Sequence, residues 1–271
     1  MRDVLKEVFT VKKPVIGMVH LPPLPGSPGF KGSLEELVER ALRDARALEE
    51  GGIDGVIVEN INDIPYPPTS VPLETVTAMT VVVREVIKEV SVPVGVNVLA
   101  NDYKAELAIA YATGAKFIRV ENLVDYVVSD TGVLLPAASE LQRYRKTLGA
   151  WNIKILGDVQ VKHTYPLVKK DIRESAIEAE KRGMADAVII TGTATGVAAP
   201  VETLKAVKEV VSIPVFLGSG ITAENISQYI KLADGFIIGT YLKVKGITTN
   251  PVDPERVKKL MNVVRELRRE L

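Results

Sequence analysis

Residues 214–240 read PVFLGSGITAENISQYIKLADGFIIGT. Two short apolar runs, PVFLGSG from Pro214 and GFIIGT from Gly235, flank a more polar segment, 223–232, that reads as a helix. Short β-branched or aromatic runs bounded by Gly, Pro or Asn are the pattern of buried strands. Toward the N-terminus the same unit recurs six more times: PVIGMVHL from Pro14, GVIVEN from Gly55, PVGVNVL from Pro93, FIRVEN from Phe117, KILGDV from Lys154 and AVIITG from Ala187. Strand, helix, strand repeated in this way implies right-handed crossovers and a parallel sheet. The count decides the architecture. Eight units close into a barrel, whereas six or seven favour an open doubly wound sheet. The prediction is an α/β fold, a (β/α)8 TIM barrel occupying residues 1–271 as a single domain.

Between the strands lie helical signals. Ser33-Leu-Glu-Glu36 is a capping box, and the helix it opens stops at Gly51-Gly52. Further helices are expected over 73–90, 102–113, 135–149, 170–182, 201–210 and 223–232. Asp253-Pro254, an N-cap followed by proline at N1, opens the last one toward Leu271. A short amphipathic helix near residues 2–9 is expected to plug the barrel bottom. The Pro-rich stretches 22–28 and 64–72 fall after the first and second strands, so they read as loops on the active face.

Composition narrows the function classes. Aromatic residues make up only 5% of the chain, so the core must be built from Val, Ile, Leu and Ala. Basic and acidic residues balance at 34 each, which leaves no field to draw nucleic acid or an anionic membrane. With no cysteine there is neither a disulfide nor thiolate chemistry. Nothing at the N-terminus resembles a signal peptide, and no apolar run approaches the ~20 residues of a transmembrane helix. A cytoplasmic location is therefore expected. Abundant Glu, Lys and Arg beside three Gln is the composition of a thermophile.

In a barrel, polar residues at the C-terminal strand ends converge on one pocket. Here they are His20, Glu59, Asn97, Arg119, Glu121, Asn122, Asp158, Lys162, His163 and Thr191. Glu59, Glu121 and Asp158 are the acid/base or metal candidates, with His20 and His163 assisting. Asn97, Arg119, Asn122, Lys162 and Thr191 are expected to bind substrate. The rim offers oxygen ligands for a divalent metal ion, yet no HxH, HExxH or DxD pattern fixes one. Imine-forming lysines usually sit within a strand. Lys154 lies at the wrong end of its strand and Lys162 in a loop that can reach the pocket, so the reading does not rest on imine chemistry. Gly218, Ser219, Gly220, Gly239 and Thr240, after the last two strands, are placed to hold a phosphate, aided by a helix starting at Ala223.

Gly17-Met-Val-His-Leu-Pro-Pro-Leu-Pro-Gly-Ser-Pro28, Val58-Glu-Asn-Ile-Asn-Asp63, Asn97-Val-Leu-Ala-Asn-Asp102, Arg119-Val-Glu-Asn122, Gly157-Asp-Val-Gln-Val-Lys-His163 and Thr191-Gly192 resemble the BtpA family across nearly the whole chain. The resemblance implies a barrel akin to the ribulose-phosphate-binding ones. It also implies a role like that of the cyanobacterial member behind the family name, which is needed to accumulate photosystem I reaction-centre proteins. The polar rim opposite the phosphate grip points to one function and the family name to a second. One is an enzyme of the lyase, isomerase or aldolase class acting on a small phosphorylated metabolite. The other is a non-catalytic assembly factor for a membrane protein complex. Nucleic-acid binding is disfavoured, and a homo-oligomer stays open.

Overall fold

The computed structural model describes residues 4–271. Eight parallel strands form a closed barrel in sequential order: β1 (Val15–His20), β2 (Gly55–Glu59), β3 (Val94–Asn97), β4 (Phe117–Val120), β5 (Lys154–Asp158), β6 (Ala187–Thr191), β7 (Val215–Gly218) and β8 (Gly235–Ile238). All eight expected strands are present. The helices are α1 (Val4–Val8), α2 (Leu34–Glu50), α3 (Leu73–Glu89), α4 (Tyr103–Thr113), α5 (Ala138–Leu148), α6 (Ile172–Lys181), α7 (Val201–Lys208) and α8 (Pro254–Arg269). Ser33 and Glu36 close the capping box of α2 as its sequence requires.

Alternation along each strand divides the core in two. Outward residues such as Val19, Val58, Val96, Ile118 and Ile190 pack beneath the helices. Inward residues Ile16, Met18, Ile57, Phe117, Leu156, Ile189, Phe216 and Ile237 fill the barrel. Gly95 and Gly235 are the space for two rings: a Cβ on either would stand 2.3 Å from Phe117 or Phe216. Phe9, just after α1, closes the bottom, its ring centroid 5.7 Å from Phe117 and 6.4 Å from Phe216. Lys154 lies at this lower end and pairs with Glu7. Residues 2 and 3 of the expected first helix lie outside the described residues.

Two expectations need correction. The segment 223–232 is not an α-helix; only Ile226–Gln228 form a 3-10 turn. The Asn225 carboxamide accepts from Thr222 N–H at 2.8 Å and donates to the Gly220 carbonyl at 2.8 Å. Such a side chain competes with the backbone and replaces helix by turn. No helix dipole therefore points at the loop after β7. The expected helix 135–149 begins only at Ala138, because residues 121–137 carry a hairpin, Val127–Ser129 with Gly132–Leu134. Tyr165–Pro166 joins it as a third antiparallel strand at the barrel mouth.

Phe9→Ala should lower unfolding stability by about 3–5 kcal/mol in chemical denaturation, because a 3% exposed ring leaves a void between two others. A cost under ~1 kcal/mol would mean that the plug does not carry the barrel bottom.

Candidate active site

The polar ends of the inward rows meet above the apolar layers. In register, His20 pairs with Glu59, and the alignment of Val120 with Gly157 sets Glu121 level with Asp158. Arg119 points into the barrel and forms a two-pronged pair with Asp158, Nε to Oδ1 at 3.0 Å and Nη2 to Oδ2 at 2.8 Å. Its Nη1 lies 3.8 Å from Glu59 Oε2. Arg119 is 4% exposed and Asp158 1%. Burial opposes the guanidinium charge, but Asp158, Glu59 and Glu121 together outweigh it and the net pKa is raised.

His20 joins through Glu59, Nε2 to Oε1 at 3.8 Å. Its Nδ1 faces the Thr248 carbonyl at 3.0 Å. A carbonyl only accepts, so Nδ1 carries the proton and Nε2 keeps its lone pair toward Glu59. Burial and then Lys243 push the histidine well below its ordinary range, so the ring is neutral. Lys243 is fully buried behind it, donating to Met18 O at 2.8 Å and lying 3.5 Å from Asp44. Burial brings that lysine down to about 8.

Glu59 and Glu121 are held toward the protonated form. Burial raises Glu59 against the pull of Arg119 and Lys162. Burial raises Glu121 to about 7; Arg119 pulls it down, and Asp158 and Glu59 push it up. Among the described residues the Glu121 carboxyl has no hydrogen-bond partner. A carboxyl free to exchange its proton near neutrality suits acid/base work.

A cavity of about 180 Å³ opens above this floor, with His20, Glu59 and Arg119 below and Ser219, Gly220, Gly239 and Thr240 on one wall. Ser219 and Gly220 both have left-handed backbone, φ 75° and 67°. A Cβ on Gly220 would stand 2.0 Å from Ala198 N, so glycine lets loop 192–198 close against the turn. The Gly220 N–H has no acceptor among the described residues. Lys162 enters from the β5 loop, its Nζ 3.2 Å from Ser219 Oγ. Arg256, from α8, also lines the cavity and stacks 4.6 Å over Tyr241.

The remaining candidates lie apart. Gly218 is the last residue of β7, where a Cβ would crowd the Ile189 and Thr191 methyls at 3.2 and 3.3 Å and meet Arg119 Nη2 only at 3.9 Å. Asn97 donates to Glu106 Oε1 at 3.0 Å and to Arg119 O at 3.1 Å, beneath the cavity wall. Asn122 donates to Leu134 O at 3.1 Å and tethers the hairpin. Thr191 Oγ1 receives the Lys162 N–H at 3.1 Å. His163 is exposed, its Nε2 3.0 Å from Thr195 Oγ1. It lines a second space of about 890 Å³ above β5 and β6, which shares Lys162 with the first. Among the described residues, no group of three or more His, Asp or Glu is arranged to hold a metal ion. Sequence reasoning missed Lys243, Thr248 and Arg256. They follow β8 at irregular spacing, and no strand-end rule reaches them.

Residues 11–266 match the BtpA family. The chain belongs to the BtpA family. An uncharacterised protein of Pyrococcus furiosus is 43% identical over 97% of this chain and 99% of its own length. The photosystem I biogenesis protein BtpA of Synechocystis is 42% identical over 97% of this chain and 91% of its own. Among solved structures, (S)-3-O-geranylgeranylglyceryl phosphate synthase from Thermoplasma acidophilum, in complex with sn-glycerol-1-phosphate, superposes with a TM-score of 0.58. It is 17% identical, covering 98% of this chain and all of its own, a likeness of fold alone. Among the described residues no helix is long and apolar enough to cross a membrane.

The raised Glu121 gives a pH test. The unfolded chain releases that proton near 4.5 and the folded chain near 7, so folding loses stability as pH rises across this window. Glu121→Gln removes the loss. Relative to wild type, the variant should gain about 3 kcal/mol between pH 4.5 and pH 8 in urea denaturation. A pH-independent difference would place an ordinary carboxyl at 121.

Proposed function

We propose that this chain is an enzyme acting on a small phosphorylated metabolite by acid/base chemistry, in the lyase, isomerase or aldolase class. One observation carries the reading. A single cavity has a glycine-turn wall with a free N–H and two basic side chains, Lys162 and Arg256, facing a floor of Glu59, Arg119 and a neutral histidine. Backbone N–H groups freed by glycine turns suit a phosphate, and cations add charge to the grip. Ser219, Gly220, Gly239 and Thr240 would hold the phosphate. Glu59, Glu121 and His20 would move protons. Arg119, fixed by Asp158, would steady developing negative charge. A barrel of the same fold has been solved in complex with sn-glycerol-1-phosphate, so the architecture can take a small phosphorylated ligand.

A thermal-shift screen against phosphorylated sugars, nucleotides and divalent cations tests it. A ligand at ~100 times its dissociation constant adds about 2.7 kcal/mol, a visible shift. The expected result is a phosphorylated ligand whose stabilisation disappears in Ser219→Glu, where a carboxylate would occupy the grip. No stabilisation by any phosphate compound overturns the enzyme reading.

A second reading, an assembly factor, is favoured by the mouth hairpin. Tyr126, Val133, Leu135, Tyr165, Leu167 and Val168 are all exposed around it. Apolar residues gathered this way suit a protein partner. The name of the Synechocystis relative points the same way. Under this reading, Tyr165→Asp with Val168→Asp should abolish activity in the cell while leaving phosphate binding intact.

A further inference from the structure

Lys162, half-buried at the cavity, is held unlike the fully buried lysines. Lys154 pairs with Glu7, and Lys243 has Asp44 at 3.5 Å. Among the described residues, no carboxylate lies within ion-pair distance of Lys162 Nζ; its side-chain partner is the Ser219 hydroxyl. Burying an ammonium without a counter-ion is costly, and the cost falls when the amine is neutral. Burial and then the nearby Arg119 do lower its pKa.

The backbone is built to aim this side chain. Gln160 and His163, on either side, both take left-handed conformations, φ 48° and 60°. Such residues cost energy and persist only where their surroundings hold them. Gln160 N–H is anchored on Asp125 Oδ2 at 3.1 Å and its carboxamide on Lys170 O at 2.9 Å. The Lys162 N–H is anchored on Thr191. The strained corner sends Lys162 into the cavity beside the candidate phosphate wall.

We propose that Lys162 is an imine-forming nucleophile, whose amine condenses with the carbonyl carbon of a small phosphorylated aldehyde or ketone held in this cavity. The proposal rests on the reading of the Ser219–Gly220 wall as a phosphate grip. The nitrogen lone pair attacks the carbonyl carbon, a C–N bond forms, and the C=O π pair moves to oxygen. Transfer of one proton from nitrogen to that oxygen gives the carbinolamine. A second proton, from the carboxyl of Glu59 or Glu121, lets the hydroxyl leave as water and the C=N⁺ bond form. Amine, carbonyl and one proton thus become iminium and water. Both carboxyls act electrostatically on Lys162 and are raised toward the protonated form. An iminium withdraws electrons from the adjacent carbon, the demand of an aldolase or of an isomerase working through an enamine.

The test is reductive trapping. The full chain is incubated briefly with dihydroxyacetone phosphate, glyceraldehyde 3-phosphate or ribose 5-phosphate, with and without sodium borohydride, then mapped by peptide mass spectrometry. Thermal shift with inorganic phosphate runs in parallel on wild type and Lys162→Arg. The expected result is a borohydride-dependent adduct on Lys162, suppressed by excess inorganic phosphate and lost at that position in Lys162→Arg. Phosphate stabilisation without an adduct on Lys162 overturns the imine and leaves Lys162 a counter-ion in a genuine phosphate site. Neither stabilisation nor adduct overturns the cavity reading together with the imine.

Discussion

A guanidinium inside an apolar barrel is tolerable only with a matched partner, and the Arg119–Asp158 pair is the constraint on which this site depends. Both residues are almost wholly buried, joined by two parallel hydrogen bonds. Removing either would strand a charge in low dielectric, which is far costlier than losing an exposed pair. The pair fixes the height of the polar layer. Burial makes Glu59 and Glu121 hold their protons more tightly than free carboxyls, against the pull of Arg119.

That division explains how one barrel end can offer groups of opposite character. Asp158 serves as the fixed anion, and Glu59 and Glu121 are poised to exchange protons. The histidine is kept neutral by its own burial and by Lys243 behind it. Across the cavity the wall is made of turns, because only glycine lets the Ser219–Gly220 corner meet Ala198. Glu59 and His20 below, and turn N–H groups with basic side chains above, divide the labour between proton transfer and anion binding within about 180 Å³.

Much of the barrel was legible because its physics is local. Eight apolar runs with period-two alternation specify inward and outward faces, and the strand ends named His20, Glu59, Arg119 and Asp158 before any geometry. What was illegible is non-local. Lys243 acts through burial behind His20, and Arg256 reaches the cavity from the last helix. Thr248 sets the tautomer of a histidine 228 positions away. The segment 223–232 misled because its apolar spacing suits a helix, while Asn225 diverts the backbone into turns. The hairpin did leave a signal, since Val127-Val-Ser-Asp-Thr-Gly-Val133 is strand, turn residues, strand. Asn97 and Asn122 show the converse: side chains at strand ends that are spent on tethering neighbouring segments.

The central claim is that the turn wall grips an anion over the charged floor. A crystal structure grown with inorganic phosphate tests it most directly. The account predicts phosphate against the Gly220 and Thr240 backbone, with Lys162 Nζ on the same anion. Phosphate absent from the cavity at saturating concentration, or bound only elsewhere, would contradict it.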